Sequence, residues 1–321
     1  MPADGAGTQV VRAERRPPPL PAAMRVLERG WLSSNSIVFD EGGAISVVDT
    51  GYVSHAPLLV QLIEQLRQGR PLARIVNTHL HSDHVGGNAA LHERFGPAIA
   101  IPPGMAAAVR QWDQGRLNYA ATGQQCARFD YDALIEVDRP LRLGGLEWEV
   151  IPGGGHDPQM VLFYNHDERV LLSADALWEN GFGVIFPELE GDSGFDEQQQ
   201  VLDRIGALSP RVVVPGHGAM FGEAGAALDV AYRRLEYLRT DPERNARHAA
   251  KVLIKFWLLE VRSTTLERLH RHFAATDYLR LIHRRYYPRR EFAQMIDAQV
   301  AELVRAGAAE FAGGLLHDRD S

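Results

Sequence analysis

Three histidines and one aspartate fall within six consecutive residues of this chain: His79, His81, Asp83 and His84, in the run THLHSDH over 78–84. Imidazole suits zinc, copper, iron and nickel, and a mixed imidazole and carboxylate set suits borderline metals such as zinc, manganese and iron. The run follows ARIVN, a short apolar segment that reads as a buried strand. Residues two apart on an extended segment point the same way, so His79 and His81 can share one target. Asp83 and His84 fall at the following turn, where the chain can aim them at a second point nearby. Histidine-rich tags also bind metals, but they lie in low-complexity tracts and not at a strand end.

Three further residues of ligand type stand behind other strand-like runs. His156 follows WEVIP within GGGHD, Asp175 follows VLL within SAD, and His217 follows RVVV within PGHG. A parallel or mixed sheet gathers strand ends along one edge, where α/β proteins build their sites. Singly, each residue has an ordinary alternative, a loop histidine or a capping aspartate. Jointly, four strand-end groups point to a metal centre.

The elements that must position these groups alternate between strand and helix, which argues for α/β layers. NSIVF and AISVV flank the turn cluster DEGG and read as a hairpin. HAPLLVQLIEQLRQ has helical spacing and stops at Gly69. A helix over 88–95 and a strand over 98–101 follow the cluster. The stretch 104–131 is irregular and reads as helical insertions or a lid. LEWEVI, VLFY, VLLS and RVVV are strand signals, with a helix over 195–208 before the last. After about Glu223 the pattern turns helical and basic. Three helices and a small hairpin around Gly313-Gly314 suggest a winged-helix-like module.

The motifs in this order, THLHSDHVGG, GGGHD, SAD and PGHG, resemble the metallo-β-lactamase superfamily over about 24–222. The resemblance implies a four-layer αβ/βα sandwich with its site at the edge between two sheets. Catalytic residues 24–222 would then follow a flexible leader, 1–23, and precede a helical domain, 223–321. By motif matching, His79, His81 and His156 would hold one divalent ion and Asp83, His84 and His217 a second. Asp175 would bridge them. Zinc is the expected metal, with iron or manganese as alternatives. Asp49, in VVDTG, matches an aspartate that supports the site from behind. Asp157 departs from the Thr or Ser common after the third histidine; it either orients a ligand histidine or shapes the loop.

The layout is similar to glyoxalase II and lactonase members. It implies hydrolysis of a small thioester, ester or lactone by a metal-bridging hydroxide, with Asp83 also orienting the nucleophile or relaying a proton. No G-x-S-x-G elbow supports a serine nucleophile. Trp178 and Phe182 could wall the substrate pocket, with ordinary core or lid packing as an equal alternative. The alternative is a phosphodiesterase acting on nucleic acid with help from the basic C-terminal part; a third reading is a metal-binding regulator.

Charge bears on that choice. Residues 232–290 hold fifteen Lys and Arg against six Asp and Glu, a balance of +9, which leaves −16 for the rest of a chain whose net charge is −7. The basic part could meet an anionic partner, but solvated helix faces docked on an acidic catalytic domain account for the count somewhat better. A single cysteine, Cys126, cannot form an internal disulfide, so a cytoplasmic location is expected. Cys126 lacks a local base and is expected to be an inert thiol. No apolar run reaches about 18 residues, so no transmembrane helix is expected. A homodimer is compatible with the apolar run VLIKFWLLEV.

Overall fold

The computed structural model describes residues 19–319, so most of the expected leader lies outside the described residues. Strands β1 (Met24–Leu27), β2 (Ser36–Asp40) and β3 (Ile45–Val48) form an antiparallel meander, and helix α1 (Ala56–Arg67) leads to β4 (Leu72–Val76). Helices α2 (Ser82–Val85) and α3 (Asn88–Phe95) precede β5 (Ala98–Ile101). Two short helices, α4 (Ala106–Gln111) and α5 (Tyr119–Thr122), occupy the insertion before β6 (Ala133–Leu134). Then come β7 (Leu141–Leu143), β8 (Leu146–Pro152), β9 (Val161–Asn165), β10 (Val170–Ala174), α6 (Phe186–Glu190), α7 (Phe195–Leu208) and β11 (Val212–Pro215).

One sheet has the order β1-β2-β3-β4-β5-β6 and the other β11-β10-β9-β8-β7. Side chains alternate along their strands. Ile37, Phe39, Val161, Phe163, Val212 and Val214 meet between the sheets. Val38 faces α1 and α3 through Leu59, Ile63 and Leu91. Leu162, Tyr164 and Val213 face α7 and its successor through Val201, Leu202, Ile205 and Leu228. The result is a four-layer αβ/βα sandwich. Strands covered on both faces need apolar residues at every position, which is why VLFY of β9 and VVV of β11 are continuous apolar runs.

Trp148 on β8 anchors the layer between the sheets. It is fully buried, stands edge-on to Phe39 at 5.5 Å between ring centroids, and donates its ring N–H to Leu143 O. Trp148→Ala should therefore destabilise the chain by about 3–5 kcal/mol. Denaturant unfolding should show a lower midpoint at unchanged slope.

The C-terminal part contains α8 (Ala224–Arg239), α9 (Pro242–Val261), β12 (Ser263–Thr264), α10 (Leu266–Ala274), α11 (Asp277–Tyr286), α12 (Phe292–Arg305), β13 (Ala309–Ala312) and β14 (Leu315–Asp318). Five helices stand where three were expected. Helix α11, DYLRLIHRRY, buries only Tyr278, Leu279 and Ile282 among charged neighbours, so its pattern reads as polar. The expected hairpin is present, and the two-residue β12 completes a sheet of order β12-β14-β13. These elements share a core that takes in Val184 and Leu189. Tyr52, close behind β3, donates its hydroxyl to Glu260 on α9 and accepts from the Gln125 N–H, which fastens the C-terminal part to the sandwich. Among the described residues, no helix is long and apolar enough to cross a membrane.

Candidate metal centre

All seven residues singled out as ligands converge at one edge of the sandwich. Strand β4 delivers His79 and His81 just beyond its end, and α2 turns Asp83 and His84 back toward them. The loop after β8 brings His156, β10 ends one residue before Asp175, and β11 ends two residues before His217. Asn35, a buried side chain at the start of β2, donates its amide to Pro215 O and Gly218 O and so clamps the His217 loop.

The ligand atoms form three overlapping triads, each spanning no more than 4.8 Å: His79, His81 and His156; His79, His84 and Asp175; Asp83, His84 and His217. His81 Nδ1 lies 3.1 Å from His79 Nε2 and 2.8 Å from His156 Nε2. Asp83 Oδ2 lies 3.1 Å from His217 Nε2. Asp175 Oδ2 stands between the groups, 3.5 Å from His84 Nε2, 3.4 Å from His156 Nε2 and 3.8 Å from His217 Nε2. Gly216 keeps this approach open, since a Cβ there would run into Asp175 Oδ1 and the His84 ring.

The nitrogens facing away from this centre are held by protein groups. His84 Nδ1–H donates to Asp49 Oδ2 at 2.7 Å, and His156 Nδ1–H donates to Val184 O at 2.6 Å. Asp49 also accepts from the Thr78 N–H and hydroxyl at 2.9 and 2.7 Å. It adopts a left-handed backbone, φ +57°, which lets it end β3 and turn its carboxylate under the site. Asp157 Oδ1 accepts from the Gln159 N–H, and its other oxygen is 3.8 Å from His81 Nε2. The loop-shaping contact is thus formed, while the approach to His81 is longer than a hydrogen bond.

Burial drives His81 and His156 down to about 4 and His79 well below the usual imidazole range. All three are therefore neutral donors near pH 7. Burial would also lower His84, but Asp175 and Asp49 on either side raise it well above that range. Asp175 and Asp83 stay ionised against their burial: His84 and His217 hold Asp175 down, and His217 and His84 hold Asp83 down. The donor set fits bound cations on two counts. His81 Nδ1 makes two close contacts, to His156 Nε2 at 2.8 Å and His79 Nε2 at 3.1 Å; one ring proton there can satisfy one of them, whereas a cation suits all three nitrogens. His84 Nε2 is also buried without a hydrogen-bond partner, an arrangement that polar atoms seldom tolerate.

A cleft of about 400 Å³ opens onto these groups. Trp178 lines it and donates its ring N–H to Asp175 Oδ1 at 3.2 Å. Phe182 does not line it. That side chain is fully buried in the core beside Leu177 and Ile185, so its expected pocket role is corrected; Phe186, edge-on to His81, stands in the wall instead. Trp31 was not foreseen. It is 49% exposed at the mouth, parallel to His217 at 5.6 Å and edge-on to Trp178. A lone tryptophan in the loop GWLSSN carries no periodic signal that could have marked it.

His248 on α9 also lines the cleft, held down to about 3 by burial and by the charges of Arg234 and Lys251. An unfolded histidine takes up a proton below about 6.5, whereas folded His248 refuses one until about 3. Acidification through that window therefore favours the unfolded chain. His248→Gln removes this term, so relative to the parent it should gain about 1–2 kcal/mol of stability between pH 8 and pH 5. Urea midpoints of both proteins at the two pH values check this.

Against this geometry, the family model described as the metallo-beta-lactamase superfamily matches residues 29–217. A hydroxyacylglutathione hydrolase of Rhizobium meliloti is 30% identical over 181 residues, 56% of this chain and 57% of the relative. The hydroxyacylglutathione hydrolase GloC of Haemophilus influenzae is 26% identical over 160 residues, 46% of this chain and 68% of that protein. The chain thus spans little more than half the length of the first of these curated relatives. Among solved structures, a beta-lactamase domain protein from Burkholderia ambifaria aligns with a TM-score of 0.54 at 18% identity, covering 94% of this chain and 96% of that one. A B3 metallo-beta-lactamase gives 0.54 at 23%, covering 64% and 96%. These likenesses show the fold, and the family match takes in β2 to β11 and all seven candidate ligand residues. The chain belongs to the metallo-beta-lactamase superfamily.

Proposed function

We propose that the chain is a dinuclear metal-dependent hydrolase that cleaves a small thioester, ester or lactone. The observation that carries this reading is the place of Asp175, one carboxylate within 3.4–3.8 Å of ring nitrogens from both groups of histidines. His79, His81 and His156 would hold one ion, Asp83, His84 and His217 the other, and Asp175 would serve both. Zinc suits this set, with iron and manganese as alternatives. When bound, the ions supply a water acidified toward neutral pH and a polarised substrate oxygen.

The chain's own residues do the rest. Asp83 lies at the cleft wall beside His217 and can accept a proton from the attacking water and pass it on. Asp49 fixes the His84 ring, and Val184 O fixes His156, so the donors need not reorganise during reaction. Trp31 and Trp178 narrow the mouth and limit water around the scissile bond. The division proposed is a catalytic domain over 24–222 and a helical, winged-helix-like domain over 223–321.

Thioesters lead because relatives are named hydroxyacylglutathione hydrolases. The basic C-terminal part favours a nucleic-acid phosphodiesterase less than its composition suggests. Lys251 and Lys255 are paired with Glu302 and Asp318, and Arg271 and Arg244 with Glu267 and Asp241. A screen of thioesters, lactones, esters and phosphodiesters with zinc, iron or manganese tests the reading. Chelator-sensitive turnover of thioesters or lactones, at kcat/KM of roughly 10⁴ M⁻¹s⁻¹ or more, is expected. Turnover of phosphodiesters alone would install the nucleic-acid reading, and inertness toward every class would refute both.

A further inference from the structure

Among the described residues, three cationic side chains besides histidine line the cleft: Arg234, Lys251 and Lys255. Two are paired with carboxylates, Lys251 with Glu302 at 2.8 Å and Lys255 with Asp318, which also pairs with Arg262. Arg234 is different. Among the described residues, no carboxylate lies within ion-pair distance of its guanidinium, and its one hydrogen bond runs from Nη2 to His248 Nε2 at 2.6 Å. That partner carries no charge, because burial and the adjacent cations hold His248 down to about 3. The other face of the guanidinium rests on the fully buried ring of Phe182, 5.2 Å from its centroid. Burial lowers the Arg234 pKa. A largely desolvated cation with a neutral base, an aromatic face and no counter-ion is costly to keep.

The backbone is also shaped around it. Gly181 has φ +125°, a conformation that side chains avoid, and a Cβ there would fall 2.6 Å from Arg234 Nη1. Gly181 pairs with Trp178, whose ring N–H reaches Asp175. One short loop therefore joins the uncompensated cation to the carboxylate at the middle of the metal ligands. The guanidinium fork matches a planar carboxylate or a phosphate in two parallel hydrogen bonds, and His248 occupies only one of its five N–H groups.

We propose that Arg234 anchors an anionic group of the substrate, a carboxylate or phosphate carried at a distance from the scissile bond, so that the cleft selects substrates with one anionic end. For the reaction this rests on the hydrolase reading; for binding it does not. Phe182 and His248 act here as positioning residues that hold the guanidinium in place. The neighbouring lysines are already engaged, Lys251 with Glu302 and Lys255 with Asp318, which it shares with Arg262.

Calorimetry of the metal-loaded protein with the thioether acid (benzylthio)acetate and with its amide, (benzylthio)acetamide, tests the anchor, since neither carries a thioester, ester or lactone. Inorganic phosphate serves as a second anion. The carboxylate should bind at least about tenfold more tightly than the amide, with the preference weakening as salt rises. In Arg234→Met the ratio should collapse toward one, and Arg234→Lys should keep part of it. Should Arg234→Met fail to fold, Arg234→Gln decides in its place. Equal binding of acid and amide, no binding of either, or a preference that survives the neutral variant would overturn the proposal; in the last case the carboxylate sits on the metal ions. The two readings fail separately. Binding that depends on Arg234 without thioester turnover removes only the hydrolase, and turnover without anionic preference removes only the anchor.

Discussion

Asp175→Asn should reduce hydrolysis by at least about 10³-fold and lower the bound metal below two equivalents per chain. The replacement keeps the shape of the side chain but removes the buried charge that approaches His84, His156 and His217. Metal ions contribute several kcal/mol of transition-state stabilisation in such sites, and a loss of about 4 kcal/mol is a factor of about 10³ in rate. His84 shows the same dependence from the other side, since Asp175 is the largest influence holding it above its usual range. Elemental analysis of the purified variant, beside its kcat, checks both halves of the expectation. Full metal content with parental turnover would remove Asp175 from the centre.

The second large effect is expected at Asp49, which touches no substrate. Its carboxylate accepts from the Thr78 N–H, the Thr78 hydroxyl and the His84 ring N–H, all buried. Asp49→Ala leaves these three donors without an acceptor, and breaking a buried charged pair in this way costs about 3–5 kcal/mol. Freeing the His84 ring should weaken metal binding by about 10–100-fold. Asp49→Asn is the gentler probe. Asn tolerates the left-handed backbone found there, so the variant should recover much of the stability and less of the affinity. Chemical unfolding of the metal-stripped proteins, paired with competition against a calibrated chelator, separates the two. An Asp49→Ala protein as stable and as metal-retentive as its parent would contradict the role given to this residue.

Much of this site could be read before any coordinate. The candidate ligand residues stand at or just beyond the ends of strands with short apolar runs, IV of β4, VLL of β10 and VVV of β11, and of the alternating β8, and a sheet gathers such ends by geometry. Asp49 was legible only through the resemblance carried by VVDTG; nothing in its spacing set it apart from a turn residue, and its hydrogen bonds to Thr78 and His84 depend on the folded chain. What escaped was whatever depends on packing between distant segments. Trp31 reaches His217 across nearly the length of the catalytic part, and Arg234 sits on a helix whose pattern reads it as a surface residue. Phe182 was placed in the pocket because aromatics near a site share their composition with aromatics in a core; burial against Leu177 and Ile185 decides between the two. In the C-terminal part, the two residues of β12 are too few to show a period, and α11 buries too narrow a stripe to stand out.

The most direct test of the central claim is a metal titration of the chelator-stripped protein, with thioester hydrolysis followed at each addition. Two ions sharing Asp175 predict that activity returns only as the second equivalent binds and reaches its plateau at two metals per chain. A plateau at one equivalent, or activity indifferent to metal, would contradict the account.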